Sequence, residues 1–162
     1  MSYRLQRRQV VGADPAEVFG FFRDPFNLEA ITPRWLAFRV LRASGREVRE
    51  GTRISYRLRL HGVPLRWESV IAEYVEGERF ADEMVVGPYR RWYHRHLFRP
   101  VPGGVEIEDV VDYELPLGPL GRLAHLVAVR RELRGIFDYR ERRIAELFSN
   151  RPAEPGHLVV TP

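Results

Sequence analysis

The chain has 162 residues, 44% hydrophobic and 30% charged, with a formal net charge of +4 and an isoelectric point near 9.8. That length suits one domain with a sizeable core, and the composition is ordinary for a globular protein. With no cysteine there is no disulfide framework, thiolate metal site or cysteine nucleophile; because all 26 basic residues are arginine, a catalytic lysine or Schiff base is excluded too. No apolar run reaches the ~18 residues of a membrane span, and the opening MSYRLQRRQVV lacks the apolar core of a signal peptide. A cytoplasmic location is expected.

Residues 3–11 alternate weakly and read as a first strand. In ADPAEVFGFF, Asp14 is an N-cap, Pro15 sits at the first helical position and Glu17 closes a capping box. Val18, Phe19 and Phe22 then share a core-facing side. RDPFNLEAITP fits a break and a second short helix, with Phe26, Leu28 and Ile31 as contacts and Pro33 as its end. Strands follow at 35–43 (Leu36, Phe38 and Val40 on one face), 52–60, 65–75, 80–86, in the stretch GPYRRWYHRHLFRP after its Gly87-Pro88 turn, and at 105–115. Short turns between them, HGVP and EGER included, argue an antiparallel sheet. A long helix from about Pro119 to Phe148 closes the domain. Its apolar stripe is Leu126, Val129, Leu133, Ile136, Phe137, Ile144 and Leu147, and Arg130, Arg131, Arg134, Arg142 and Arg143 form the wet side. Gly135 in mid-helix is unfavourable unless it permits a close approach or a bend. Residues 149–162 read as a flexible tail beyond a domain at 1–148.

The stretch 87–100 carries the most chemistry. Period two places Trp92, His94, His96 and Phe98 on one face, and Tyr89, Arg91, Tyr93, Arg95 and Arg99 on the other. The next strand divides into Val105, Ile107, Asp109, Val111 and Tyr113 against Glu106, Glu108, Asp112 and Glu114. Pairing apolar with apolar turns the first set of each inward and sets the arginines beside the acids. A phosphate-binding face needs unpaired arginines, so nucleic acid is not the expected partner. Inside, a hairpin loop of about six residues puts Asp109 opposite His96, and a loop two residues shorter puts it opposite His94. Either gives a His–Asp hydrogen bond, which makes His94, His96 and Asp109 the acid/base candidates. H-x-H also suits a metal, but a catalytic zinc needs a third protein ligand. Asp109 is the only obvious one and is open to capture by hydrogen bonding, so no metal and no cofactor are expected. Whichever acid of residues 80–86 faces inward adds a carboxylate.

This order of elements, with ADPAEVFGFFRDPFNLEAITP near the start, GPYRRWYHRHLFRPVPGGVEIEDVVDYELPLGPLG and the FDYR of the last helix, resembles the START/Bet v1-like superfamily (SRPBCC), which holds polyketide cyclase/dehydrase-like and lipid-transport proteins. The nearest likeness is to a bacterial ligand-binding SRPBCC group. The resemblance implies an α+β helix-grip fold: a curved antiparallel sheet of about seven strands wrapped around a long C-terminal helix, with two short helices after the first strand and a hydrophobic cavity between sheet and helix. The expected partner is a hydrophobic or amphipathic small molecule: a lipid, an isoprenoid or a polyketide-like compound. Tyr56, Trp67, Trp92, His94, His96, Phe98, Asp109, Tyr113, Leu133, Ile136 and Phe137 are the expected ligand-binding residues. Carriage rather than catalysis is the expected role. The alternatives are a cyclase- or dehydratase-type enzyme using His94 or His96, and an RNA- or protein-associated module acting through the arginines. The oligomeric state is not legible.

Overall fold

The computed structural model describes residues 2–116, 118–119, 128–148 and 157–161. β1 (Ser2–Val11) leads into α1 (Pro15–Arg23) and two 3-10 helices, Pro25–Ile31 and Arg34–Leu36. Six strands follow: β2 (Arg39–Ala43), β3 (Arg53–Leu60), β4 (Val63–Val75), β5 (Arg79–Val86), β6 (Arg91–Val101) and β7 (Gly104–Glu114). Then come α2 (Arg130–Phe148) and β8 (His157–Thr161). The strands form one antiparallel sheet in the order β2-β3-β4-β5-β6-β7-β1-β8. Irregular register within β2/β3 and twice within β4/β5 bends the strands there, since an extra residue kinks the strand that carries it. The sheet curves around α2 in the helix-grip arrangement.

Local chemistry accounts for the element ends. Asp14 Oδ1 accepts from Ala16 N at 2.8 Å and Glu17 N at 3.2 Å, so it caps α1 as expected, without a return bond from the Glu17 side chain. Asp24 repeats the device before Pro25, accepting from Phe26 N at 2.9 Å. His61 and Gly62 both have positive φ, 50° and 84°, the backbone of a two-residue hairpin whose twist matches its strands. Gly104 has a steric reason: a Cβ there would collide with the Val11 carbonyl of β1.

The structure corrects the sequence reading of several elements. Residues 34–36 form a 3-10 helix, and the strand expected from residue 35 starts only at Arg39. Phe26 and Leu147, expected as core contacts, are exposed, and Phe148 is buried at the end of α2 instead. Residues 157–161, expected within a loose tail, pair with β1 as an eighth strand. The corrections for Tyr89, the β6–β7 loop and three expected lining residues belong to the site below. Leu126 and residues 120–127 of the expected long helix lie outside the described residues.

Helix α2 rests on the inner sheet face through Leu133, Phe137 and Ile144, all buried. It is also tied by charge: buried Arg7 of β1 pairs with Asp138 and Glu141. Gly135 meets nothing within 4 Å of a built Cβ, so no close approach explains it. Gly135→Ala is therefore expected to stabilise the protein by about 0.5–1 kcal/mol, through helix propensity and a less free unfolded chain. Chemical denaturation of the two proteins measures it; an unchanged or lower midpoint contradicts it.

Candidate functional site

Strand β6 supplies the centre. Trp92, His94, His96 and Phe98 alternate inward and are buried, and so are Val105, Ile107, Asp109, Val111 and Tyr113 of β7. Asp109 stands opposite His96. The hairpin closes in two residues, Pro102 and Gly103, not about six, because pairing runs on to Val101 and Gly104. On the other side of β6, β5 settles which acid faces inward: Asp82 lies opposite His94, and Phe80 opposite His96. Phe80 stacks on the His96 ring at 4.5 Å. The His94 and His96 ring centres are 3.9 Å apart.

These groups form one connected polar network. Asp109 accepts from His94 Nε2 at 3.0 Å and from Arg140 Nε at 3.2 Å and Nη2 at 3.3 Å. Arg140 Nη2 also lies 3.2 Å from His96 Nδ1. His96 Nε2 faces Asp82 Oδ2 at 3.3 Å. A carboxylate can only accept, so His94 Nε2 and His96 Nε2 carry hydrogens, and His96 Nδ1, 3.0 Å from Asp109 Oδ1, donates there when the ring is protonated. Ser69 Oγ donates to Asp82 Oδ1 at 3.1 Å while accepting from Trp67 Nε1 at 3.1 Å, with Tyr56 Oη 3.2 Å away.

Burial of this much charge is sustained by mutual compensation. Burial pushes the Asp109 carboxyl up, but the Arg140 charge and the bonds from His94 and His96 hold it well below its ordinary value. Burial opposes ionisation of Asp82 too, yet the His96 bond and both imidazole charges leave it below its ordinary value. Burial and then the charge of His96 push His94 down, more than Asp109 lifts it. For His96, burial is outweighed by the bonds to Asp109 and Asp82, so its value rises. A proton taken up by the pair therefore goes to His96.

Between this network, the 3-10 helices and α2 lies a pocket of about 210 Å³, small for a ligand site. Its wall is apolar, and its polar end is Ser69, Asp82, His94, His96 and Arg140. Of the residues expected to bind a ligand, Tyr56, Trp67, Trp92, His94, His96, Leu133, Ile136 and Phe137 line it. Phe98, Asp109 and Tyr113 do not. Phe98 packs among Phe19, Phe22 and Phe80, Asp109 sits behind the imidazoles, and Tyr113 stacks on Tyr3 at 5.6 Å. Tyr89, expected on the outer face, turns inward against Trp67 and Trp92 at 5.7 and 4.8 Å. It precedes β6, so the strand's alternation does not reach it.

Two of the three outer arginines of β6, Arg95 and Arg99, behave as the charge pattern requires. Arg95 pairs with Asp112 at 3.1 Å, and Arg99 pairs with Glu106 and Glu108, each at 2.9 Å. Arg8 adds a 2.8 Å bond to Glu108. A different row crosses β2, β3 and β4 through Arg39, Arg57 and Arg66, and there only Arg39 has an acidic partner among the described residues, Glu29 at 2.6 Å. Burial pushes the Glu108 carboxyl up, but the Arg8 and Gln6 bonds and the Arg8 and Arg99 charges bring it below its ordinary value. Its contribution to stability is thus full above the ordinary carboxylate range and lost as pH falls through the lowered folded value. Glu108→Gln should lower the melting temperature at neutral pH and flatten the loss on acidification. Parallel acid-side slopes in the two proteins would refute this.

Independent comparison identifies the family. A family model described as polyketide cyclase/dehydrase and lipid transport matches residues 3–148. The chain belongs to this family. Solved structures share the fold at low identity. Protein CV1439 from Chromobacterium violaceum is 16% identical over 91% of this chain and 98% of its own, with a TM-score of 0.69. Protein TTHA0849 from Thermus thermophilus is 20% identical over 90% and 99%, at 0.63. A START superfamily protein from Mycobacterium smegmatis is 18% identical over 90% and 99%, at 0.62. No curated protein sequence matches. Within the START/Bet v1 superfamily the general theme is ligand binding. No helix among the described residues is long and apolar enough to cross a membrane.

Proposed function

We propose that the protein binds a compact amphipathic small molecule, isoprenoid, polyketide-like or lipid, between its sheet and α2. The observation that carries this reading is the pocket itself: a largely apolar, aromatic wall with a buried polar network at one end. Trp67 stacks on Tyr56 at 6.0 Å and meets Trp92 edge-on at 5.3 Å, a surface suited to rings. The modest volume favours one or two rings over a long acyl chain. At the polar end His94 gives its Nε2 hydrogen to Asp109, so Nδ1 is an acceptor for a ligand hydroxyl.

Tryptophan fluorescence with 1-naphthol and naphthalene as probes tests this. The hydroxyl should tighten binding at least about tenfold, the worth of one well-made buried hydrogen bond, and Ile136→Trp, which fills the pocket, should abolish it. Equal affinity for the two probes, or binding indifferent to Ile136→Trp, would sink the reading.

A second reading is favoured by one detail. His94 is tethered to Asp109 through one nitrogen and presents the other towards the pocket, the layout of a general base with its orienting carboxylate. In a cyclase- or dehydratase-type enzyme, His94→Ala and His96→Ala should abolish turnover while ligand affinity falls by no more than about the tenfold of the lost hydrogen bond. Retained turnover in both variants removes that reading.

A further inference from the structure

Three atoms converge at the polar end of the pocket: His94 Nδ1, His96 Nε2 and Asp82 Oδ2. The nitrogens lie 3.6 and 3.3 Å from the oxygen, and one ligand atom from each of the three residues falls within 4.8 Å of the others. Ligands bound at about 2.1 Å to a tetrahedral metal stand about 3.4 Å apart. We propose that His94, His96 and Asp82 bind a first-row divalent cation of the zinc or ferrous type.

The arrangement is short of a cation on independent grounds. His94 has given its hydrogen to Asp109 through Nε2, so the Nδ1 lone pair faces the Asp82 carboxylate at 3.6 Å with no hydrogen between them. Two acceptors facing each other in a buried site repel, and a metal between them turns that repulsion into two bonds.

The groups behind the ligands have the form that metal-bound histidines use. Asp109 Oδ1 lies 3.0 Å from His94 Nε2 and 3.0 Å from His96 Nδ1, so one carboxylate backs both rings, and Arg140 holds that carboxylate. Such partners fix the ring tautomer and raise ligand basicity. For the metal to bind, a neutral His96 moves its hydrogen from Nε2 to Nδ1, where Asp109 accepts it, and a protonated His96 releases the Nε2 hydrogen to solvent and keeps the one on Nδ1. Two imidazoles and one carboxylate suit zinc or ferrous iron rather than magnesium or calcium, which prefer all-oxygen shells. Asp82, His94 and His96 all line the pocket, so the open coordination positions face it. That a polar atom of the bound molecule fills them rests on the small-molecule reading; the metal itself does not.

Untagged protein, stripped with chelator and titrated with Co²⁺, should take up one equivalent, develop d–d absorption and lose it to Zn²⁺. His94→Gln, His96→Gln and Asp82→Asn should each weaken binding at least about a hundredfold, and Asp109→Asn about 10–100-fold. Failure of the stripped native protein to take up either ion overturns the proposal, as does uptake that survives all three ligand substitutions. If a variant does not fold, nitrogen NMR of the native protein decides: Zn²⁺ should move His94 Nδ1 and His96 Nε2, and unmoved resonances refute the site. Naphthol binding to the metal-free protein is read separately, so failure of the metal site and failure of the pocket are distinguishable.

Discussion

Arg140→Ala is expected to destabilise the protein by about 3–5 kcal/mol, the range for breaking a buried ion pair by removing one partner. Arg140 is buried on α2, gives two hydrogen bonds to Asp109, reaches His96, and lies over the Phe22 ring at 5.2 Å. Its removal leaves the Asp109 carboxylate buried with only two imidazoles to compensate it. The denaturation midpoint measures the loss. The pairwise origin is tested by a double-mutant cycle: Arg140→Met combined with Asp109→Leu should cost clearly less than the sum of the single changes. Additive losses would mean that Arg140 acts by packing, not by charge.

Phe98→Ala should cost a similar amount, about 3–5 kcal/mol, for a different reason. Phe98 is 2% exposed and meets Phe19 at 5.2 Å, Phe22 at 5.1 Å and Phe80 at 6.1 Å. It ties α1 to the sheet and does not line the pocket. The melting temperature should therefore fall while naphthol affinity at a temperature where the variant is folded stays within a few fold. A stable variant with lost affinity would return Phe98 to the ligand site.

Those two residues mark where the sequence could and could not be read. The inward set of β6 and β7 follows from alternation alone, because both strands pair regularly from Arg91–Glu114 to Val101–Gly104. Sequence alternation could not tell Phe98 from Trp92, since both face inward; only the position of α1 separates core from pocket. Arg140 carried a usable signal: it stands three residues after Phe137 and four before Ile144, so it interrupts the buried stripe of α2 with a charge. A charge on such a stripe calls for a buried counter-charge, and Asp109 is the one it meets. Asp82 was less legible. Phe80, Asp82 and Met84 alternate inward, but Ala81 is buried as well and the middle inward position is an acid, so neither face of 80–86 reads as apolar. The last strand was hidden for another reason: a five-residue edge strand after a proline-containing segment gives too few positions for a pattern.

The most direct measurement is the electron density of the pocket in crystals of protein prepared with 1-naphthol. The expected result is a ring seated between Trp67 and Ile136, with its oxygen within hydrogen-bonding distance of His94 Nδ1 or Asp82. A pocket filled only by ordered water, with the naphthol elsewhere on the surface or absent, would contradict it.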